Sequence, residues 1–224
     1  MRPFAALATV AGFAVCESLG AAASDAAVQD DTEKKEAKWD FSLLTFTYLA
    51  QHARDYVNPN FTADRDWLHL EARYNYEALK TGSVWTGYNF PSFCIAKDLK
   101  VKATPMLGGV FGDITGIAPG YSIDASYKIL NASTQGEYFF DAGTSSGDFF
   151  YSWSEFSASL PKADCIRAGL VVERTQASGN SDVRRGPLVG FNHKCKDKDV
   201  DLTIYWLAPG SREATFVFGV TVEF

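Results

Sequence analysis

A chain of 224 residues makes one domain of ordinary size. Hydrophobic residues at 46% exclude wholesale disorder. A formal net charge of −6 and a pI near 5.1 argue against nucleic acid as a partner, because phosphate contacts need clustered Lys and Arg.

In chain order, residues 1–23 read as a secretory signal peptide. Arg2 gives the positive start, Phe4 to Val15 form an apolar run, and Ala21-Ala22-Ala23 supply the small side chains a signal peptidase needs. Cys16 follows a bulky valine, which disfavours a lipid-attachment site. Residues 24–38 are polar and charged, with Asp30-Asp31 and Glu33-Lys34-Lys35-Glu36, and read as a solvated periplasmic tether. No later stretch approaches the 18 or more continuous apolar residues of a transmembrane helix.

From Trp39 onward the dominant period is two. Over Leu68 to Ala78, Leu68, Leu70, Ala72, Tyr74, Tyr76 and Ala78 alternate with His69, Glu71, Arg73, Asn75 and Glu77. A helix would smear these charges around its circumference, since its period is 3.6. Lys100 and Lys102 share a face. Asp124 and Lys128 lie between Tyr121, Ile123, Ala125, Tyr127 and Ile129; Ile166, Ala168, Leu170 and Val172 alternate with Arg167, Gly169, Val171 and Glu173. Asp201 sits between Val200 and Leu202, and Glu137 falls on another polar face. Turn-rich pieces separate these runs: Lys80-Thr81-Gly82, Gly143 to Gly147, Ser178 to Asp182 and Pro209-Gly210-Ser211. Strands of about ten residues with one apolar and one polar face are what a membrane barrel requires.

The chain stops on a last alternating run, Phe216, Phe218, Val220, Val222 and Phe224 against Val217, Gly219, Thr221 and Glu223. It resembles the C-terminal strand of Gram-negative outer-membrane β-barrel proteins, whose assembly machinery reads alternating apolar residues that end in an aromatic. The resemblance implies an exported outer-membrane protein that meets lipid and the barrel-assembly machinery.

The expected fold is all-β, a single antiparallel transmembrane β-barrel over residues 39–224. Such barrels carry an even number of strands. Counting residues 55–64 despite Pro59 gives about twelve strands, against ten without that hairpin. The expected spans are 41–51, 55–64, 67–78, 82–90, 98–111, 117–129, 134–142, 148–160, 164–177, 184–195, 199–208 and 212–224. With Phe224 in the periplasm, turns near 196–199, 161–163 and 130–133 lie there, and loops near 178–183, 143–147 and 112–116 lie outside.

Three cysteines remain after the signal. Cys165 and Cys195 are placed symmetrically about Asn180, so a hairpin centred there faces them within disulfide range in an oxidising compartment. Cys94 is left over, and no paired motif makes a metal site.

The sequence identifies no catalytic residue and no cofactor. His69 and Glu71 share a face, but no serine is placed to complete a triad. The run Gly108 to Gly116 lacks the Gly-Lys-Ser/Thr ending of a phosphate loop. The expected lumen face is His69, Glu71, Arg73, Glu77, Lys100, Lys102, Asp124, Lys128, Glu137, Arg167, Glu173 and Asp201, with mixed signs that pair across strands. Tyr74, Tyr76, Tyr88, Tyr121, Tyr127, Trp153 and Trp206 are expected outward as interfacial girdles. The leading function is a narrow channel for small hydrophilic solutes or a structural membrane protein. The alternatives are an outer-membrane hydrolase and a soluble secreted β-barrel holding an apolar ligand, with Tyr74 and Leu170 inside.

Overall fold

The computed structural model describes residues 38–143, 147–195 and 198–224; the expected signal peptide, and all of the tether except Lys38, lie outside these. Strands are β1 (Asp40–Ala50), β2 (Tyr56–Arg65), β3 (Leu68–Tyr74), β4 (Thr81–Tyr88), β5 (Phe93–Ala96), β6 (Leu99–Gly112) and β7 (Gly116–Tyr127). They continue as β8 (Leu130–Asp141), β9 (Phe149–Leu160), β10 (Ala163–Ala177), β11 (Asn180–Cys195), β12 (Lys198–Leu207) and β13 (Thr215–Glu223).

Twelve of these strands form a closed antiparallel barrel. β1 pairs with β13 from Ser42↔Glu223 to Ala50↔Thr215, and the amides of Phe41 and Phe224 bond each other's carbonyls at 3.1 and 3.0 Å. The other seam is β4 with β6, from Thr81↔Gly112 to Gly87↔Met106. Because β4 stops short, the start of β6 is left to β5, which pairs Phe93 with Val101 and Cys94 with Lys100. That short strand lies outside the barrel count and was not expected. Closure removes the sheet edge, the condition for spanning lipid without unpaired backbone groups. β2 forms in spite of Pro59, which sits opposite Thr45 on an outward position.

The alternation seen in the sequence sorts the two faces. Leu170 (60% exposed), Ile117 (58%) and Val189 (54%) point away from the barrel, while their neighbours Val171, Ala118 and Leu188 are buried. Phe216, Phe218, Val220, Val222 and Phe224 run along the outside of β13. An apolar exterior this continuous is far larger than the patches of a soluble monomer. The inverted, soluble reading fails on its own test residues, since Tyr74 and Leu170 are outside.

The strands meet in tight turns at the end where β1 begins and β13 finishes, here the terminal end. Lys128 and Lys162 take positive φ in two of these turns, at 54° and 75°. At the opposite, loop end, Ser178 (φ 46°) and Gly179 (φ 81°) form a two-residue turn of the kind that matches strand twist. That turn pairs Ala177 with Asn180 and Ile166 with Phe191, so the hairpin is centred between residues 178 and 179. The expected Cys165–Cys195 bridge is therefore corrected. The register is shifted, Cys165 is a free and exposed thiol, and Cys195 lies opposite Lys198 on β12.

Candidate functional site: the barrel lumen

The inward faces divide the lumen into two halves. The loop half is filled by side chains. Phe46, Tyr48, Trp153, Val171, Leu188, Tyr205, Leu207 and Val217 form one buried cluster; Trp85, Met106, Val110, Ala118 and Phe139 form a second. Val171, Leu207 and Val217 are fully buried within the first cluster. Gly108 makes this packing possible, because a Cβ there would stand 2.5 Å from the Trp85 ring.

Between the two clusters runs a chain of charges rooted on β3, where a period of two puts His69, Glu71 and Arg73 on one face. His69 Nδ1 lies 2.8 Å from Asp64 and Nε2 lies 3.5 Å from Glu71. Arg73 donates to Glu71 at 2.7 Å and to Glu137 of β8 at 2.8 Å. Its guanidinium is sandwiched over the rings of Trp85 (4.2 Å) and Tyr76 (4.3 Å). Asn60 donates to Glu71, and Asn89 donates to Asp64 at 2.6 Å. Burial of so much charge is tolerable because each member of this chain has an opposite charge or a hydrogen-bond donor beside it.

On the opposite wall Arg167 pairs with Asp201 and donates to Thr203 at 2.6 Å. Arg184 meets Glu173 at 2.5 Å. Glu155 accepts from Trp153 Nε1 and from the Tyr205 hydroxyl, both at 2.8 Å.

The terminal half of the lumen encloses a cavity of about 230 Å³ above an aromatic floor. Phe46, Trp153 and Tyr205 make that floor, with ring centroids 5.1 to 5.8 Å apart. The walls carry Asp64, His69, Glu71, Lys102, Asp124, Glu155, Arg167, Asp201 and Glu223 among serines and threonines.

Of the residues expected on the lumen face, His69, Glu71, Arg73, Asp124, Glu137, Glu173 and Asp201 are buried inside, and Arg167 and Lys102 line the cavity. Lys100 shares the face of Lys102 nearer the mouth, opposite Ser126. Glu77 belongs to the loop after β3, from which it accepts a hydrogen bond from buried Ser83 at 2.6 Å. Lys128 is a correction: it sits exposed in the β7–β8 turn, its ammonium 5.1 Å over the Tyr127 ring, because the strand ends two residues earlier than the alternation implied.

Tyr76 and Trp153 are also corrected, from girdle to lumen: Trp153 is 7% exposed, and Tyr76 lines the cavity and packs edge-on against Tyr151. Tyr74, Tyr88, Tyr127 and Trp206 are exposed on the outer face as expected.

Sequence reasoning missed Asp64, Glu155 and Arg184. In β9, serines occupy both faces (Ser152 and Ser154 outside, Ser157 and Ser159 inside), so Glu155 has no apolar–polar contrast to mark it. Arg184 fell at the expected strand start, although β11 begins four residues sooner.

The hydrolase reading finds no support here. Both ring nitrogens of His69 face carboxylates, so neither is left to take a proton from a serine.

No protein-family model matches the chain, and no curated protein matches it in sequence. Solved structures do match in shape. The KdgM porin superposes with a TM-score of 0.52 at 8% identity, over 82% of this chain and 98% of that one. The structure described as the KdgM porin in complex with disordered oligogalacturonate does so with a TM-score of 0.52 at 7% identity, over the same shares of each chain. The fold is therefore that of the KdgM porin β-barrel, here with a charge-mixed lumen.

Proposed function

We propose that this protein is exported by its N-terminal signal, inserted in the outer membrane, and works there as a narrow channel for small hydrophilic solutes. The observation that carries this reading is the cavity of about 230 Å³, walled by charged side chains, inside a closed, apolar-coated barrel. With the termini in the periplasm, the cavity is a vestibule on the periplasmic side and the packed clusters face outward. The run Phe216 to Phe224 serves as the signal read by the barrel-assembly machinery, and lipid covers the outer face. The oligogalacturonate of the KdgM structure is a polyanion; the mixed charges of this lumen favour a smaller solute.

The two buried clusters favour a second reading, a structural membrane protein whose lumen is a plug. Planar-bilayer recording separates the two. In the channel reading the native protein gives small or brief conductance steps, and removing the stacked pair Tyr48 and Tyr56 (rings 4.4 Å apart) with Tyr48→Ala and Tyr56→Ala enlarges them. Silence from both proteins, each still shifting in mobility on heating, overturns the channel.

A further inference from the structure

The cavity carries an imbalance of charge. Three of its carboxylates have an opposite charge close by: Asp64 has His69, Glu71 has Arg73 and Asp201 has Arg167. Asp124, Glu155 and Glu223 have no ion-pair partner within 4.0 Å among the described residues. Even with Lys102 set against one of these three, the lining keeps an excess of negative charge.

Asp124 is the informative member. Its side chain is withdrawn from bulk solvent at 8% exposure, lines the cavity, and makes no hydrogen bond among the described residues. Lys102 stands opposite Asp124 in the register of β6 and β7, one cation set against the three carboxylates of Asp124, Glu155 and Glu223. Glu155 takes both of its hydrogen bonds on Oε1, from Trp153 and Tyr205, which leaves Oε2 to the cavity.

The register relates the two. Asp124 is opposite Ser133, and Ser133 is opposite Glu155, so the carboxylates lie in one row across β7, β8 and β9. Two strand spacings put their backbones about 10 Å apart, with only the short Ser133 side chain between them. Beneath this row lie the faces and edges of Phe46, Trp153 and Tyr205. Carboxylates beside aromatic rings, away from bulk water, are a setting that attracts organic cations.

We propose that the terminal-half cavity binds a small organic solute bearing ammonium or guanidinium groups, held by Asp124 and Glu155 over the aromatic floor. A volume of about 230 Å³ equals some seven or eight waters at liquid density, or one solute of amino-acid size. The proposal rests on the reading that solutes enter the lumen from the terminal end.

The test is calorimetric titration of the full-length protein in detergent with agmatine, a guanidinium–ammonium dication, and in parallel with glutarate, a dianion of similar size. Saturable binding of agmatine and none of glutarate is expected. Asp124→Asn and Glu155→Gln, each isosteric and each checked for heat-modifiable mobility, should weaken agmatine binding roughly ten- to hundred-fold, the worth of one hydrogen bond to a charged group. Absent binding, equal binding of glutarate, or an affinity unchanged in both variants overturns the proposal. Recording conductance on the same preparation keeps the two readings apart. Conductance steps without agmatine binding remove the site and leave the channel; binding without steps does the reverse.

Discussion

Arg73 and Glu137 stand 64 positions apart in the sequence and meet at 2.8 Å inside the barrel, each side chain about 1% exposed. The pair joins β3 to β8 across the lumen, and Glu71 on the same guanidinium makes it a triad. Replacing Arg73 with Met leaves two buried carboxylates without their cation. The expected loss is about 3–5 kcal/mol of unfolding free energy, read by urea titration in lipid vesicles. A second change, Glu137→Gln, should recover part of that loss, because one of the stranded charges is gone. A cost within 0.5 kcal/mol for Arg73→Met would mean the triad is solvated.

Leu170 lies at the middle of β10, on the outer face. In a lipid-embedded barrel, Leu170→Arg places a charge near the bilayer midplane, at a cost of about 2–4 kcal/mol. The same change on a water-exposed surface usually stays within about 0.5 kcal/mol. Equilibrium unfolding from vesicles distinguishes the two, and the small value would contradict the membrane-facing assignment of this strand.

Cys165 reacts with a maleimide in the folded, unreduced protein if the register at the Ser178-Gly179 turn holds. Mass spectrometry should find the label on the peptide that carries Cys165, and Cys165→Ser should remove it from that peptide. Labelling that appears only after reduction would restore the bridge to Cys195 and require a different register.

Removal of Phe224 tests the assembly role proposed for the last strand. The aromatic ring stacks on Phe41 at 6.0 Å, and the Phe224 backbone bonds Phe41 in both directions, so it has a structural place as well. Phe224→Ala keeps those backbone bonds. A drop in outer-membrane recovery in cells, with unimpaired folding of the purified variant into vesicles, assigns the loss to recognition during assembly; equal losses in both assign it to the seam.

The barrel was legible in the sequence because a strand in a barrel wall has a period of two and two environments of opposite polarity. His69, Glu71 and Arg73 stood out between Leu68, Leu70, Ala72 and Tyr74 for that reason. Signals weakened where the contrast was low. β9 alternates rings with serines, so Trp153 was expected outside and Glu155 went unmarked. At turns a two-residue difference in the strand end moved Lys128 from the lumen face to solvent, and a shift of the hairpin centre separated Cys165 from Cys195.

The sequence by itself determined the all-β alternation and which face of most strands points out of the barrel, since each of these is a local contrast between neighbouring residues. Only the tertiary structure decided which lumen residues meet: that Arg73 reaches Glu137, that Tyr48 stacks on Tyr56, and that Asp124 and Glu155 share a row above the floor of Phe46, Trp153 and Tyr205. The physical reason is closure. A barrel brings strands far apart in the chain across a lumen, and their contacts depend on the shear and register of the whole circle, which no single strand encodes.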